Sequence, residues 1–378
     1  MGSELNMENA VPGFYVNNLR EMHNIPVELI TSDLNTRMDH KVDSILRISS
    51  YESFLRAANL YILTHNLHNA IFIDDHCNGF EEYRDKMISE DFGSLLAQAG
   101  CSEEQLATFV ENFNNEHQSV IIYSEMHLSS EACHQMHNLS YLTGKSGKNA
   151  SGLISLKEKN NAQGLFDMGA CAAIAPGGKN MHNEKVRNHL ESEWKVSDLP
   201  ANIDQNQWEL LLKGAIKNAF IFGEDPLGCA IDKKKVKEAL EKTDFLIVQD
   251  LFMSETAAMA NLVLPAAAHF ETGGSYSNTQ KFIQQFEASK PNSTEVAGIN
   301  QILGIAKALG FDWSYEDPAD VLLEAAGIIQ RLPESGFTPY RFVSTSQKHE
   351  PRRFKHGCDY LVKYFDDEWQ KAFNPKEE

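Results

Sequence analysis

Three stretches of this chain place glycine and polar residues directly behind apolar runs. Gly223, Glu224, Asp225 and Pro226 follow the run Ala219 to Phe222, and Gln249 and Asp250 close the run that starts at Phe245. Behind Asn261 to Pro265 comes Glu271 to Asn278, which reads Glu-Thr-Gly-Gly-Ser-Tyr-Ser-Asn. This is the pattern of buried parallel strands alternating with helices, and open α/β sheets bind ligands at the carboxyl edge of their strands. The chemistry it suggests is ligand binding, since neither a GxSxG elbow nor an HExxH pair is present. Cys133, His134 and His137 on one helix, and Asp74 to Cys77, are of metal-ligating type, but their helical faces coincide only in part and no fourth ligand is evident. Surface polarity of the helix is the simpler reading of the first group. The loop Gly144 to Gly152 is rich in glycine and lysine, yet Lys148 is followed by Asn149 and position 142 is Leu, so the GxxxxGK[ST] spacing of a triphosphate-binding loop fails. Pro176, Gly177 and Gly178 read as a plain turn.

The elements that must hold these residues are legible in order. Val27 to Thr31 and Ser119 to Ser124 read as strands, and Asn69 to Asp74 as a strand or a helix start. Tyr51 to Leu63 has apolar residues at helical spacing. Ser102 and Ser129 are placed to cap helices, the second running to about Leu142 and ended by Gly144. Lys233 to Lys242, Ala297 to Leu309 and Pro318 to Leu332 read as further helices, and Phe252 to Met259 as a helix facing a core. Strand–helix alternation of this kind implies an α/β fold with doubly wound, mostly parallel sheets. With 378 residues, 42% of them hydrophobic, the chain can bury more than one core. The expected division is a first α/β domain over 1–150, a second over 151–343 and a peripheral charged tail over 344–378.

Charge and cysteine usage narrow the partners. A net charge of -19 argues against nucleic acid, because phosphate binding needs concentrated Lys and Arg. Met1 to Ala10 is polar, and the apolar region Ala257 to Phe270 is broken by Asn261 and Pro265, so neither a secretion leader nor a membrane span is expected. The expected location is cytoplasmic. The six cysteines form no CxxC pair and read as reduced thiols.

In content and order the motifs resemble the molybdopterin oxidoreductase family, typified by formate dehydrogenases and the large iron–sulfur subunit of NADH dehydrogenases. The matching segments are Leu142 to Gly147, Gly152 to Leu156, Lys159 to Gly169, Gly223 to Pro226, Gln249 to Thr256, Leu264 to Ala266 and Glu271 to Asn278. The resemblance implies two Rossmann-like sheets, each holding one molybdopterin guanine dinucleotide that carries molybdenum or tungsten. It points to Gly2, Ser3, Asn161, Gly223, Glu224, Asp225, Pro226, Gln249, Asp250, Glu255, Thr256, Gly274 and Asn278 as cofactor-binding residues, and to Lys157 at the place of a family arginine beside the metal. Gly223 permits close backbone approach, Asp250 offers an acceptor to guanine or ribose, and Asn278 faces the pterin side.

The departures from the family pattern bear on activity. The first dinucleotide turn has Glu4 where the family has Asn, and Thr31, Ser32 and Asp33 replace an Asp-Pro-Arg, exchanging a cation for an anion. Ile48 to Tyr51 stands for a Pro-Gly-Thr-Asp turn. Lys157 keeps the arginine's charge without its two-pronged geometry. No iron–sulfur cluster or metal thiolate is expected on this chain, and the cofactor itself is either retained or lost. The first expectation is therefore a non-catalytic or degenerate subunit of a multi-subunit electron-transfer complex, alongside iron–sulfur and flavin/NADH subunits. The alternatives are one half of a split molybdenum or tungsten formate-dehydrogenase-like enzyme, and a protein that binds or stores the pterin cofactor.

Overall fold

The computed structural model describes residues 1–124, 127–157, 159–170, 173–201, 207–279, 281–290, 298–331 and 340–343. The chain divides into two compact units, the first formed by residues 1–162 with the returning residues 340–343, the second by residues 163–331. The expected tail over 344–378 lies outside the described residues.

The first unit is built around one buried helix. After α1 (Ala10–His23) come strands β1 (Glu28–Thr31) and β2 (Ser44–Arg47), then α2 (Tyr51–Thr64), which buries Phe54, Leu55, Ala57, Ala58, Leu60, Ile62 and Leu63. A helix apolar on so many sides must be enclosed. Helices α3 (Ala70–His76), α4 (Phe80–Ile88), α5 (Phe92–Ala99), α6 (Glu103–Asn115) and α7 (Ser130–Leu142) supply much of the enclosure. Asn69 to Asp74 is thus a helix start, with Asn69 as its cap. Ser102 forms a capping box with Gln105, and Ser129 caps α7. Contrary to a surface reading, α7 is largely buried. Asn59 of α2 donates to the Gln135 backbone carbonyl and to its side-chain Oε1, and Tyr83 of α4 donates to that same Oε1 at 2.8 Å.

Strands β3 (Val120–Ser124) and β4 (Gly152–Leu156) pair in parallel, as do β1 and β2. Both pairs sort their residues onto the same two cores. Ile30 and Leu46 join Ile121 and Tyr123 against α2, while Leu29 joins Leu156 and Ile122 on the other side with Leu5 and Met38. The loop at 144–152 leads into β4 of this same unit, so the pairing of β3 with β4 moves the domain junction later than residue 150. Residues 340–343 return here. Tyr340 and Arg341 pair with Cys77 and Asn78, Phe342 stacks on Tyr83, and Asn138 bonds both backbone groups of Val343.

The second unit holds helix α8 (Glu184–Trp194) and strand β5 (Asn218–Phe222), then α9 (Lys233–Leu240), β6 (Phe245–Asp250) and β7 (Leu262–Pro265). The three strands are parallel in the order β7-β6-β5. Leu246 and Val248 face α9 over a core with Leu227, Ala230, Val236 and Leu240. The opposite face departs from a sheet buried on both sides. Phe220 and Phe222 are 49% and 42% exposed, although Gln301 of α10 (Ile299–Ala308) reaches β6 and β7 there. A hairpin of β8 (Gly274–Ser277) and β9 (Ile283–Phe286) follows the sheet. Helix α11 (Pro318–Arg331) packs Ile328 with Val186 and Leu190 of α8. Phe252 to Met259 is not a core helix: a turn leads into one 3-10 turn, and Met253 is 66% exposed. Among the described residues no helix is long and apolar enough to cross a membrane.

Candidate functional site

In the second unit the carboxyl ends of β5 and β6 gather most of the residues singled out in the sequence. Gly223 has φ +63° and donates its N–H to the Gln249 carbonyl at 2.8 Å, which ties the two strand ends together. A Cβ built on Gly223 meets nothing within 4 Å, so the space over this backbone is open. Glu224 is exposed. Asp225 turns the other way and is buried. Its carboxylate accepts from the N–H groups of Gly228 at 3.0 Å, Thr256 at 2.9 Å and Glu255 at 3.3 Å, and from the Thr256 hydroxyl. Thr256 Oγ1 in turn accepts from Leu227 N–H at 3.0 Å. Asp225 and Thr256 therefore bind the loops after β5 and β6 to each other rather than facing a ligand, because their partners are backbone donors inside the protein. Pro226 is half-buried in the same loop.

Asp250 ends β6 half-buried. Its Oδ1 accepts from Leu251 N–H at 2.7 Å and its Oδ2 from Ser254 Oγ at 2.8 Å. A carboxylate offers about four acceptor positions, so Asp250 shapes its own loop and keeps capacity for an external donor. Gln249 donates to Gln301, which holds α10 to the sheet. Glu255 pairs with Lys233 at the start of α9. Gly274 and Asn278 sit apart on the hairpin. Gly274 has φ +144°, and Asn278 Oδ1 accepts from Phe282 N–H at 3.0 Å, closing the turn.

The corresponding edge of the first unit is filled by its own side chains. Gly2 has φ +58°, and a Cβ there would lie 2.0 Å from Leu128 Cδ1. Ser3 donates to Glu8 at 2.8 Å, and Glu8 also meets His127. Lys157, just past β4, donates to Ser155 at 3.3 Å, and Asn161 is half-buried ahead of the short helix Ala162–Asp167. The sequence reading missed one cation. Arg47, the last residue of β2, donates to the Asp33 carbonyl at 3.3 Å and pairs with Asp39 at 2.6 Å. It stands directly before the Ile48 to Tyr51 turn, and a basic residue at a strand's carboxyl end was the available signal.

At the opposite, amino end of β3 and β4 lies a pocket of about 400 Å³ lined by Asn69, Asn114, His117, Thr143, Lys145 and Lys148. Lys145 is buried and donates to the carbonyls of Asn114 and Glu116, which caps the negative end of α6. Burial, and then Lys148, lower its pKa. Among the described residues no group of three or more His, Cys, Asp and Glu is arranged to hold a metal ion.

Parallel strands that deliver an open glycine turn and a strand-end carboxylate to one edge make this a mixed α/β protein with parallel sheets. The chain belongs to the molybdopterin oxidoreductase family, whose description matches residues 37–304. It is 30% identical over 284 residues to a protein of Staphylococcus haemolyticus provisionally named a formate dehydrogenase, covering 73% of this chain and 29% of that one. A Staphylococcus aureus protein with the same provisional name is 30% identical over 281 residues, covering 72% of this chain and 29% of that protein. The fold is similar to that of acetylene hydratase from Pelobacter acetylenicus, with TM-score 0.59 and 15% identity over 90% of this chain and 51% of that one. The chain thus spans under a third of the length of the two staphylococcal relatives.

Proposed function

We propose that this chain is a cofactor-holding part of a formate-dehydrogenase-like redox assembly, in which the second unit carries one arm of a molybdopterin guanine dinucleotide. The observation that carries the reading is the Asp225–Thr256 brace, which fixes two loops so that Gly223 and Asp250 lie on an accessible edge. Gly223 lets a pyrophosphate approach the backbone, and Asp250 accepts from guanine or ribose donors. Glu224 and Glu255 add negative charge, which favours the donor-rich guanine end over phosphate at their positions. When bound, the group supplies a molybdenum or tungsten centre that exchanges electrons with a substrate. Toward a carboxylate substrate Lys157 would offer a point charge without the fork of a guanidinium.

The residues fit the group in the second unit and not in the first, where Leu128 closes over Gly2 and Glu8 takes Ser3. That contrast favours a second reading, a non-catalytic scaffold subunit in the same kind of assembly. In either reading the partners are iron–sulfur and flavin/NADH subunits in the cytoplasm. Pterin, molybdenum and tungsten contents of the chain isolated with its native partners separate the two. Near-stoichiometric pterin that is lost in Gly223→Val and Asp250→Ala supports the cofactor-holding role. A wild-type preparation with partners but no pterin overturns it and leaves the scaffold.

A further inference from the structure

The pocket at the amino end of β3 and β4 takes no part in the candidate site, yet it holds a buried cation. Lys145 is 4% exposed, and among the described residues Asp225 is the other charged side chain buried to this degree. The two are satisfied differently. Asp225 accepts from backbone N–H groups and a hydroxyl. Lys145 donates to the carbonyls of Asn114 and Glu116 and lies 5.7 Å from the centre of the Phe113 ring. No carboxylate pairs with it among the described residues. An ammonium has three N–H groups, so one remains for a further acceptor. Lys148 lines the same pocket, is exposed, and has no side-chain partner among the described residues. Its repulsion acts on Lys145 more strongly than the attraction of Glu116, the one carboxylate on the wall. His117 adds an imidazole able to donate. In a chain of net charge -19 this is a local excess of positive charge. A buried cation without a counter-ion is costly, and a bound anion would offset that cost.

We propose that this pocket binds a phosphate monoester with a small hydroxylated body, its phosphate on Lys145 and Lys148 and its hydroxyls on Asn115 and Glu116. At about 400 Å³ the pocket is of the size that small molecules occupy and has room beyond a phosphate group. The rest of the wall is polar apart from Leu67, and no Phe, Tyr or Trp lines it, so a flat base would find no stacking face. Asn69 and Asn114 are partly committed, Asn69 Oδ1 to Phe72 N–H and Asn114 Nδ2 to the Leu67 carbonyl. Asn115 and Glu116 have no side-chain partner among the described residues, and an amide beside a carboxylate offers hydroxyls both a donor and acceptors. The pocket belongs wholly to the first unit, so it stands apart from the cofactor reading of the second.

The test is calorimetric titration of the full chain with glucose 6-phosphate, inorganic phosphate, glucose and citrate. The expected result is saturable binding of glucose 6-phosphate, weaker binding of inorganic phosphate and none of glucose. Lys148→Ala, at an exposed position, should weaken the ester by about tenfold or more. Asn115→Ala should weaken the ester and leave inorganic phosphate unchanged. Amide exchange with the ester bound should slow in residues 114–117 and 143–148 and not in 223–230. Equal affinity of the wild type and Lys148→Ala overturns the proposal, as does protection confined to 223–230. Citrate binding more tightly than glucose 6-phosphate overturns it by giving the pocket to a carboxylate, and a chain that binds none of the four overturns it outright. Pterin content measured on the same preparations keeps the two ideas apart, because a negative titration with pterin retained removes the pocket alone.

Discussion

The two units use the same strand-and-helix grammar for different ends. In the first, burial is concentrated in helices around α2, and the strand ends are closed by Leu128, Glu8 and Asp39. In the second, the core is small and one sheet face exposes two phenylalanines, but the strand-end loops are fixed by a buried carboxylate and left open at Gly223. Packing density and openness of the strand-end loops are thus separable within one fold. The strand-end loops are held here by a few satisfied polar bonds, not by a large apolar core.

The largest effect should come from the first unit's core. Phe54 is fully buried and lies 5.1 Å from the Phe109 ring. Phe54→Ala is expected to destabilise this unit by about 3–5 kcal/mol, read as a lower denaturant midpoint. Exchange protection in β5 and β6 should stay unchanged. A parallel loss in both units would show that they unfold together and would weaken the contrast.

A pH experiment probes the buried amine of Met1, which donates to the Ile122 carbonyl at 2.7 Å. Burial lowers the amine from 8.0 to about 5. Between those values the unfolded chain holds a proton that the folded chain does not, so stability rises with pH across this window and is lost as pH falls from 8 toward 5. The shift corresponds to about 4 kcal/mol over the window. N-terminal acetylation removes the titrating group. An acetylated chain with the same slope between pH 5 and 8 would mean that the amine does not carry the effect.

Much of this was written in the sequence, and the exceptions have physical causes. Ser102 and Ser129 announced their helices because capping is local, settled within three residues. The apolar runs at 219–222 and 245–248 announced buried strands because a short apolar run bounded by turn residues is itself the signal. What a strand-end side chain faces is not local. The family motif at 223–226 pointed to Asp225 as a cofactor contact, but the direction of its side chain is set by Thr256 and Glu255 in another loop. Exposure of Phe220 and Phe222 depends on what covers the sheet, and a run of apolar residues carries no information about its cover. Met253, assigned to a core by its chemistry, lies on a turn for which no helical period existed.

Asp225→Ala sharpens the comparison from the other side. It leaves the Gly228, Glu255 and Thr256 amides without their acceptor, and buried unsatisfied donors cost about 1–3 kcal/mol each. Partial hydration on opening should limit the total to about 3 kcal/mol. Exchange should speed up in residues 223–230 and 254–257 before it does in the first unit. Asp225→Asn, which keeps one acceptor, should lose less. If the two substitutions are equal, the carboxylate's charge rather than its acceptor count holds the loops.

The smallest effect tests whether polar bonds matter as much in the helical unit. Tyr83 is buried, its phenol pushed far up by desolvation, and its hydroxyl donates to Gln135 Oε1, which Asn59 also serves. Tyr83→Phe removes one of two donors to that oxygen and keeps the ring that stacks on Phe342. The oxygen remains bonded, so the expected loss is about 1 kcal/mol, measured as a shift in denaturant midpoint. Asn59→Ala in the same background should then cost more than it does alone, because Gln135 Oε1 would be left with neither donor. Additive losses would mean that the two bonds act independently rather than as one coupled network, unlike the shared acceptor of the Asp225 brace.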